Sequence, residues 1–368
     1  MGILTAPKIE FERRENTFLL RNVRIGIGFH WDRYEDEEFA GTLEIRRNPD
    51  GTETAINTID LEDYLCSVIS SEMSADSPME LLKAHAVISR SWAMRAIAQR
   101  PHEQMVNGQM VNDFDVCADD HCQRYEGLRL QNERAVMAVR ATAGQVLVYV
   151  QSDKGQGTEE EVCDCRYHKC CGGRTEIWRT CWEDRDVPYI QSVECDWCNP
   201  NGKWKMENGK CLNDYDQETT DFHDWQVQYT QEELSDIIRR KSGIDFGDII
   251  DLVPVHRGAS GRIDLLKIVG TKRTETIGKE LKIRQWLSPT CLYSSWFDIE
   301  RTKNSQLNDS PTSLNSQLST LNFKLIGRGW GHGTGLCQIG AAVMAAEGKT
   351  YEEILSHYYR NTQLKIEN

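Results

Sequence analysis

Apolar residues recur at intervals of two in some stretches of the chain and of three or four in others, and the two periods separate strands from helices. Val23, Ile25, Ile27 and Phe29 alternate with other residues, the pattern of a strand. A Pro49-Asp50-Gly51 turn between two strand-like runs over 42–59 predicts a hairpin. In "LEDYLCSVISSEM", Leu65, Val68 and Ile69 share one helix face, and the next place on that stripe is Glu72. A carboxylate there either marks the end of the helix or is held in a half-dry place for a chemical purpose.

Further along, Ser77 is placed to cap a helix, with Pro78 in its first turn and Glu80 completing a capping box. That helix runs from 78 to about 99, with Leu81, His85, Ile88 and Trp92 on one face. "NERAVMAVRATAGQVLVYV" reads as a helix and then a strand, and "TQEELSDIIRRKSGI" as a capped helix. "GRIDLLKIVG" and "RTETIGKELKIRQWL" predict strands leading into a short helix, and residues 323–359 a strand, a Gly-rich turn and two helices. This order implies an α+β fold with antiparallel strands and not a doubly wound sheet. The expected organisation is a β-rich segment over 1–60 and one domain over 61–368. Within that domain lie a cysteine-rich insertion at about 155–215 and a flexible, low-complexity loop at 303–322.

Composition narrows the functions. The chain of 368 residues has a net charge of -14, which counts against a duplex nucleic-acid binder and suits a neutral or lightly charged polymer. No stretch approaches the roughly 18 consecutive apolar residues of a membrane span. The start lacks the basic and apolar regions of a signal peptide, so none is expected in the chain as given. Thirteen cysteines, an odd number, cannot all pair internally.

Several cysteines stand at metal-like spacings. "CADDHC" offers Cys117, His121 and Cys122, a set that suits tetrahedral zinc or, alternatively, a surface loop with a Cys117–Cys122 disulfide. "CDWC" at 195–198, with Cys181 and Cys211 nearby, reads as a second zinc site or a pair of disulfides, and "CDCRYHKCC" adds four thiols over 163–171. "GRGWGHGTG" lacks the Lys-Ser/Thr ending of a phosphate loop. Its glycines permit close backbone approach to a ligand, and Arg328, Trp330 and His332 supply polar and stacking groups suited to a sugar. A glycine-rich turn that simply packs against its neighbours is the structural alternative.

Five blocks in order over about 60–364 resemble the SpoIID family of sporulation and cell-wall proteins, which share a domain with the amidase enhancer LytB. They are the Glu72-Met73 pair with "SPMELLKAHAVISRSWA", "CADDHCQRYEG", "HKCCGGRTE", the intact "GRGWGHGTGLCQIGA" and "EEILSHYYRNTQL". Two departures from the family pattern are Ala118, where Asp is usual, and His85, where Gln is usual. The resemblance implies a lytic transglycosylase acting on peptidoglycan glycan strands, with Glu72 as the catalytic glutamate. A partly buried carboxyl with a raised pKa can serve as such an acid.

The resemblance further implies that the loop with His168, Gly172 and Gly173 lines the sugar groove together with Arg328, His332 and Gln338. Tyr358 either closes that groove or fills the core. It also implies a structural zinc at Cys117, His121 and Cys122, for which His102 is the nearby upstream candidate. The alternatives are a non-catalytic activator of a cell-wall amidase and a zinc-stabilised adaptor. The family role implies the cell envelope.

Overall fold

The computed structural model describes residues 2–27, 32–74, 76–99, 103–106, 109–112, 114–118, 122–153, 157–198, 223–304 and 320–367. It mixes helices with mostly antiparallel strands, the α+β class expected from sequence. The chain divides into two compact units. The first comprises Met1–Arg166, Trp204–Glu218 and Ala341–Asn368, the second Tyr167–Lys203 and Thr219–Gly340.

In the first unit, helix α1 (Leu61–Glu72) starts where the Asp60 side chain accepts the Glu62 N–H. It ends at Glu72, because Met73 turns extended and returns its N–H to the Ile69 carbonyl. Helix α2 (Met79–Gln99) follows, without the expected capping box. The Ser77 hydroxyl is buried with no hydrogen-bond partner among the described residues. Glu80 instead pairs with Lys83 at 2.7 Å and accepts the Tyr351 N–H at 2.9 Å. A long-range use of the carboxylate has displaced the local one.

Helix α3 (Glu133–Ala141) is capped by Asn132 and leads into the strand Gln145–Asp153, which sits between Gly157–Val162 and Thr362–Ile366. Arg90 of α2 is 1% exposed and joins these elements. Its guanidinium forks onto the Glu62 carboxylate at 2.6 and 2.7 Å and donates to the Gln145 carbonyl at 3.0 Å. His85 is buried with Nδ1 beside the Ser89 hydroxyl at 3.3 Å, a core histidine.

The N-terminal strands form two three-stranded antiparallel sheets, and the predicted hairpin pairs Thr42–Arg47 with Glu53–Thr58. They do not stand apart as a 1–60 segment. Phe39 stacks on Tyr125, which packs on Tyr64 of α1, and the Asn57 amide donates to the Tyr125 hydroxyl at 2.9 Å. Strands and helices thus share one aromatic core.

The second unit holds helices α4 (Trp178–Cys181), α5 (Gln231–Ser242) and α6 (Glu280–Trp286). The α5 cap is the one the sequence predicts, with Thr230 and Glu233 exchanging hydrogen bonds. Two three-stranded antiparallel sheets enclose a core that includes Trp225, Phe246, Phe297 and Phe323. The ends of the expected 303–322 loop belong to paired strands, Phe297–Asn304 and Thr320–Arg328, and 305–319 lie outside the described residues. Tyr167–His168 and Leu336–Cys337 pair in parallel where the chain enters and leaves the unit. Helices α7 (Gln338–Ala346) and α8 (Tyr351–Tyr358) complete the chain's helical elements among the described residues.

Candidate functional site

Glu72 is half-buried at the last position of α1. Its Oε1 accepts the main-chain N–H of Arg124 at 3.1 Å, and Ser71 takes the N–H of Glu126 at 3.3 Å. These bonds lay the 122–126 loop against the C-terminal end of α1. Tyr64, one face of α1 away, donates to the Gln123 side chain at 3.0 Å. Burial, then the nearby Cys122 thiol, pushes the Tyr64 hydroxyl well up, so it stays protonated as a donor. The sequence blocks around Glu72 and "CQRYEG" are therefore one assembly.

Cys117 and Cys122 are half-buried neighbours, and the Cys117 N–H points at the Cys122 sulfur at 3.4 Å. The Cys117 thiol, with burial, raises the Cys122 thiol far above its ordinary value. Two thiols side by side on a loop with little core fit a soft divalent ion. His121 and His102 lie outside the described residues.

The second unit carries the Gly-rich turn. His168 is buried, and its Nδ1 meets the Thr334 carbonyl at 3.1 Å. A carbonyl only accepts, so Nδ1 carries the proton and His168 holds the turn in place from within. His332 is half-buried, takes the Thr334 N–H on Nδ1 at 3.0 Å, and stands edge-on to Trp182 with ring centres 5.0 Å apart. Trp182 is half-buried and packs on Trp178 at 4.5 Å. The sequence reading missed this pair of aromatic faces, although the spacing of Trp178 and Trp182 was visible.

Arg328 is exposed, 3.9 Å from Asp224 and with its guanidinium 5.9 Å from the Trp296 ring centre. Gln338 is buried, as is Tyr358. Tyr358, in the first unit, has no exposed surface, so of its two readings the packing one holds.

The space beside several glycines of the turn is filled by protein, which favours the packing alternative for them. Arg262 is wholly buried and donates to the Gly331 carbonyl at 3.3 Å and to the Cys171 carbonyl at 3.2 Å. A Cβ on Gly333, at φ 84°, would lie 2.4 Å from that guanidinium, and one on Gly329, at φ 74°, 2.8 Å from the Cys170 carbonyl. A Cβ on Gly172 would lie 3.0 Å from the Gly329 nitrogen, whereas a Cβ on Gly173 would meet no atom of the described residues within 4 Å. Arg262 gave no signal in sequence beyond a charge at the head of an apolar strand.

The cysteines regroup relative to expectation. Cys181 does not join the "CDWC" pair, because its thiol hydrogen-bonds the His332 carbonyl at 3.4 Å and the Thr334 hydroxyl at 3.3 Å. Cys195 and Cys198 meet Cys171 and Cys337 instead, all four buried, with sulfurs within 4.8 Å of one another. Cys211 lies outside the described residues.

Residues 49–149 match the family model SpoIID, described as Stage II sporulation protein. Over these residues the chain is similar to the SpoIID family. Among curated relatives, the Stage II sporulation protein D of Bacillus subtilis is 25% identical over 316 residues, covering 84% of this chain and 76% of its own. An uncharacterized protein of Brachyspira hyodysenteriae is 29% identical over 313 residues, covering 85% and 68%. The Amidase enhancer of Bacillus subtilis is 26% identical over 313 residues, and only 40% of its length is covered. Residues 176–335 match a domain of unknown function, DUF8618. That match falls between Cys171 and Cys337 in sequence.

Proposed function

We propose that the chain is a lytic transglycosylase that cleaves the β-1,4 bond between N-acetylmuramic acid and N-acetylglucosamine in peptidoglycan strands. The observation that carries this reading is the Glu72 carboxylate, half exposed at the end of an apolar helix face and oriented by the Arg124 amide. Protonated Glu72 gives its proton to the glycosidic oxygen as the bond to C1 breaks. The C6 hydroxyl of the muramic sugar then attacks C1, and its proton passes to the ionised Glu72. That step closes a 1,6-anhydro ring and restores the acid. No water is consumed, so one carboxylate suffices.

Trp182 and His332 offer faces on which a sugar ring stacks, and Arg328 and the open side of Gly173 offer polar contacts. Gln338 and His168, being buried, act by holding this surface. A zinc ion held by Cys117 and Cys122, with His121 and His102 completing the set, would supply folding energy to the loop that orients Glu72. Mass spectrometry of purified glycan strands after incubation tests the reading. The wild-type chain releases 1,6-anhydro products and Glu72→Gln does not; equal release by the two would remove Glu72 as the acid.

The similarity to a protein named Amidase enhancer favours a second reading, in which the chain binds glycan and activates a cell-wall amidase. In that case Glu72→Gln leaves stimulation of the amidase unchanged, and neither form yields anhydro products.

A further inference from the structure

We propose that Cys171, Cys195, Cys198 and Cys337 bind one zinc ion that clasps the base of the second unit. Their sulfurs all lie within 4.8 Å of one another and all four residues are buried. Four thiolates about 2.3 Å from a tetrahedral zinc stand roughly 3.8 Å apart, so the cluster needs little adjustment to close on the ion. It is too tight to enclose an iron–sulfur cluster, whose cysteines spread around several irons. Two disulfides require only pairwise approach, whereas here each sulfur neighbours the other three.

The surroundings suit thiolates. The Cys171 N–H points at the Cys337 sulfur at 3.2 Å, the Gly340 N–H at the same sulfur at 3.4 Å, and the Gly173 N–H at the Cys171 sulfur at 3.4 Å. Such N–H to sulfur bonds orient the ligands of a metal and spread their charge. Cys195 precedes and Cys198 ends a single helical turn, Asp196–Cys198, giving the short C-x-x-C arc that suits two ligands of one zinc. The Cys195 N–H bonds the Gly173 carbonyl at 2.9 Å and brings that arc to Cys171. Four thiolates and a divalent ion carry a net charge of about -2, and the buried Arg262 guanidinium on the Cys171 carbonyl offsets part of it. Cys170, held by a two-way backbone bridge to Trp330, brings a fifth thiol against Cys198 and Cys337, outside the group of four whose sulfurs all lie within 4.8 Å of one another.

The placement gives the ion a task. Cys171 and Cys337 are 166 residues apart and follow or end the two strands by which the chain enters and leaves the unit. The ion therefore ties entry to exit and anchors the 195–198 turn to both. Cross-linking the ends of so long a loop restricts the unfolded chain strongly. The same clasp fixes His168, paired with Cys337, and through it the 332–334 turn.

The test uses the full chain purified anaerobically without added metal. Elemental analysis finds zinc, and Cys195→Ser/Cys198→Ser loses one equivalent that Cys117→Ser/Cys122→Ser retains. Because loss of a ligand can prevent folding, the unaltered chain is also titrated with a mercurial while a zinc-sensitive dye reports release. Peptide mapping then shows zinc leaving in step with modification of Cys171, Cys195, Cys198 and Cys337. Zinc release that tracks other thiols, or a metal-free chain in which these four are paired as disulfides, overturns the site.

Discussion

The Oε1 atom of Glu72 accepts the backbone N–H of Arg124 at 3.1 Å, across 52 positions of sequence. A main-chain donor holds the carboxylate without adding a charge beside it. It comes from the loop that also carries Cys122, so the orientation of Glu72 and the order of that loop are coupled.

This coupling makes the reach of the carboxylate critical. Glu72→Asp keeps the charge and withdraws it by one methylene, out of line with the Arg124 amide. If the proposed chemistry is right, turnover falls by roughly a hundredfold or more, the usual result of a misplacement of about 1 Å. The thermal midpoint moves little, since the residue ends a helix and is half exposed. Turnover of the Asp variant within a few-fold of wild type would contradict the role given to this geometry.

Arg90 makes a stability prediction independent of function. Arg90→Met leaves the Glu62 carboxylate without its forked partner and the Gln145 carbonyl without a donor. Breaking one side of a buried ion pair costs about 3–5 kcal/mol, and because Glu62 keeps some exposure the lower end applies. Glu62→Gln added to Arg90→Met recovers part of the loss. Urea unfolding of the single and double variants measures both; additive losses would show that the two side chains do not act as a pair.

His332 and Trp182 separate a binding surface from a packed core. Trp182→Ala and His332→Ala each weaken glycan turnover through KM if the rings stack on sugar. His332→Ala also gives up the bond from the Thr334 N–H, worth about 1 kcal/mol. Steady-state kinetics beside thermal melts distinguishes the cases. A large loss of stability with unchanged KM would assign the pair to packing alone.

Glu37 supplies a pH dependence. Burial pushes its carboxyl up to about 7, against the Arg129 guanidinium at 2.8 Å, while Glu126 and Glu35 add repulsion. The folded chain then keeps a proton that the unfolded chain releases near its ordinary pKa of 4.5. This contribution to stability is complete at acid pH and lost as pH rises through about 7. Glu37→Gln keeps the group neutral, so relative to wild type it gains stability between about pH 5 and about pH 8. A difference between the two proteins that does not change with pH would show that Glu37 titrates normally in the fold.

Much of the fold was legible in sequence where the cause is local. The 3.6-residue stripe of α1, the Pro49-Asp50-Gly51 hairpin and the Thr230–Glu233 capping box each form within a few residues. The Ser77–Glu80 box failed for the opposite reason, since Glu80 found Lys83 and a distant backbone N–H that no window around it contains. Arg262 was invisible on the same grounds, because the carbonyls its guanidinium meets lie 69 and 91 residues away.

By itself, the sequence determined the α+β class, the helix that ends at Glu72, and the motifs that place the chain beside the SpoIID proteins, because periodicity, caps and motif spacing are properties of short stretches. Only the tertiary structure decided that the "CDWC" thiols meet Cys171 and Cys337 and not Cys181, and that the Gly-rich turn wraps a buried arginine. Side chains far apart in sequence meet according to strand pairing and core packing. The free energy of those contacts depends on the whole chain, and no local pattern records it.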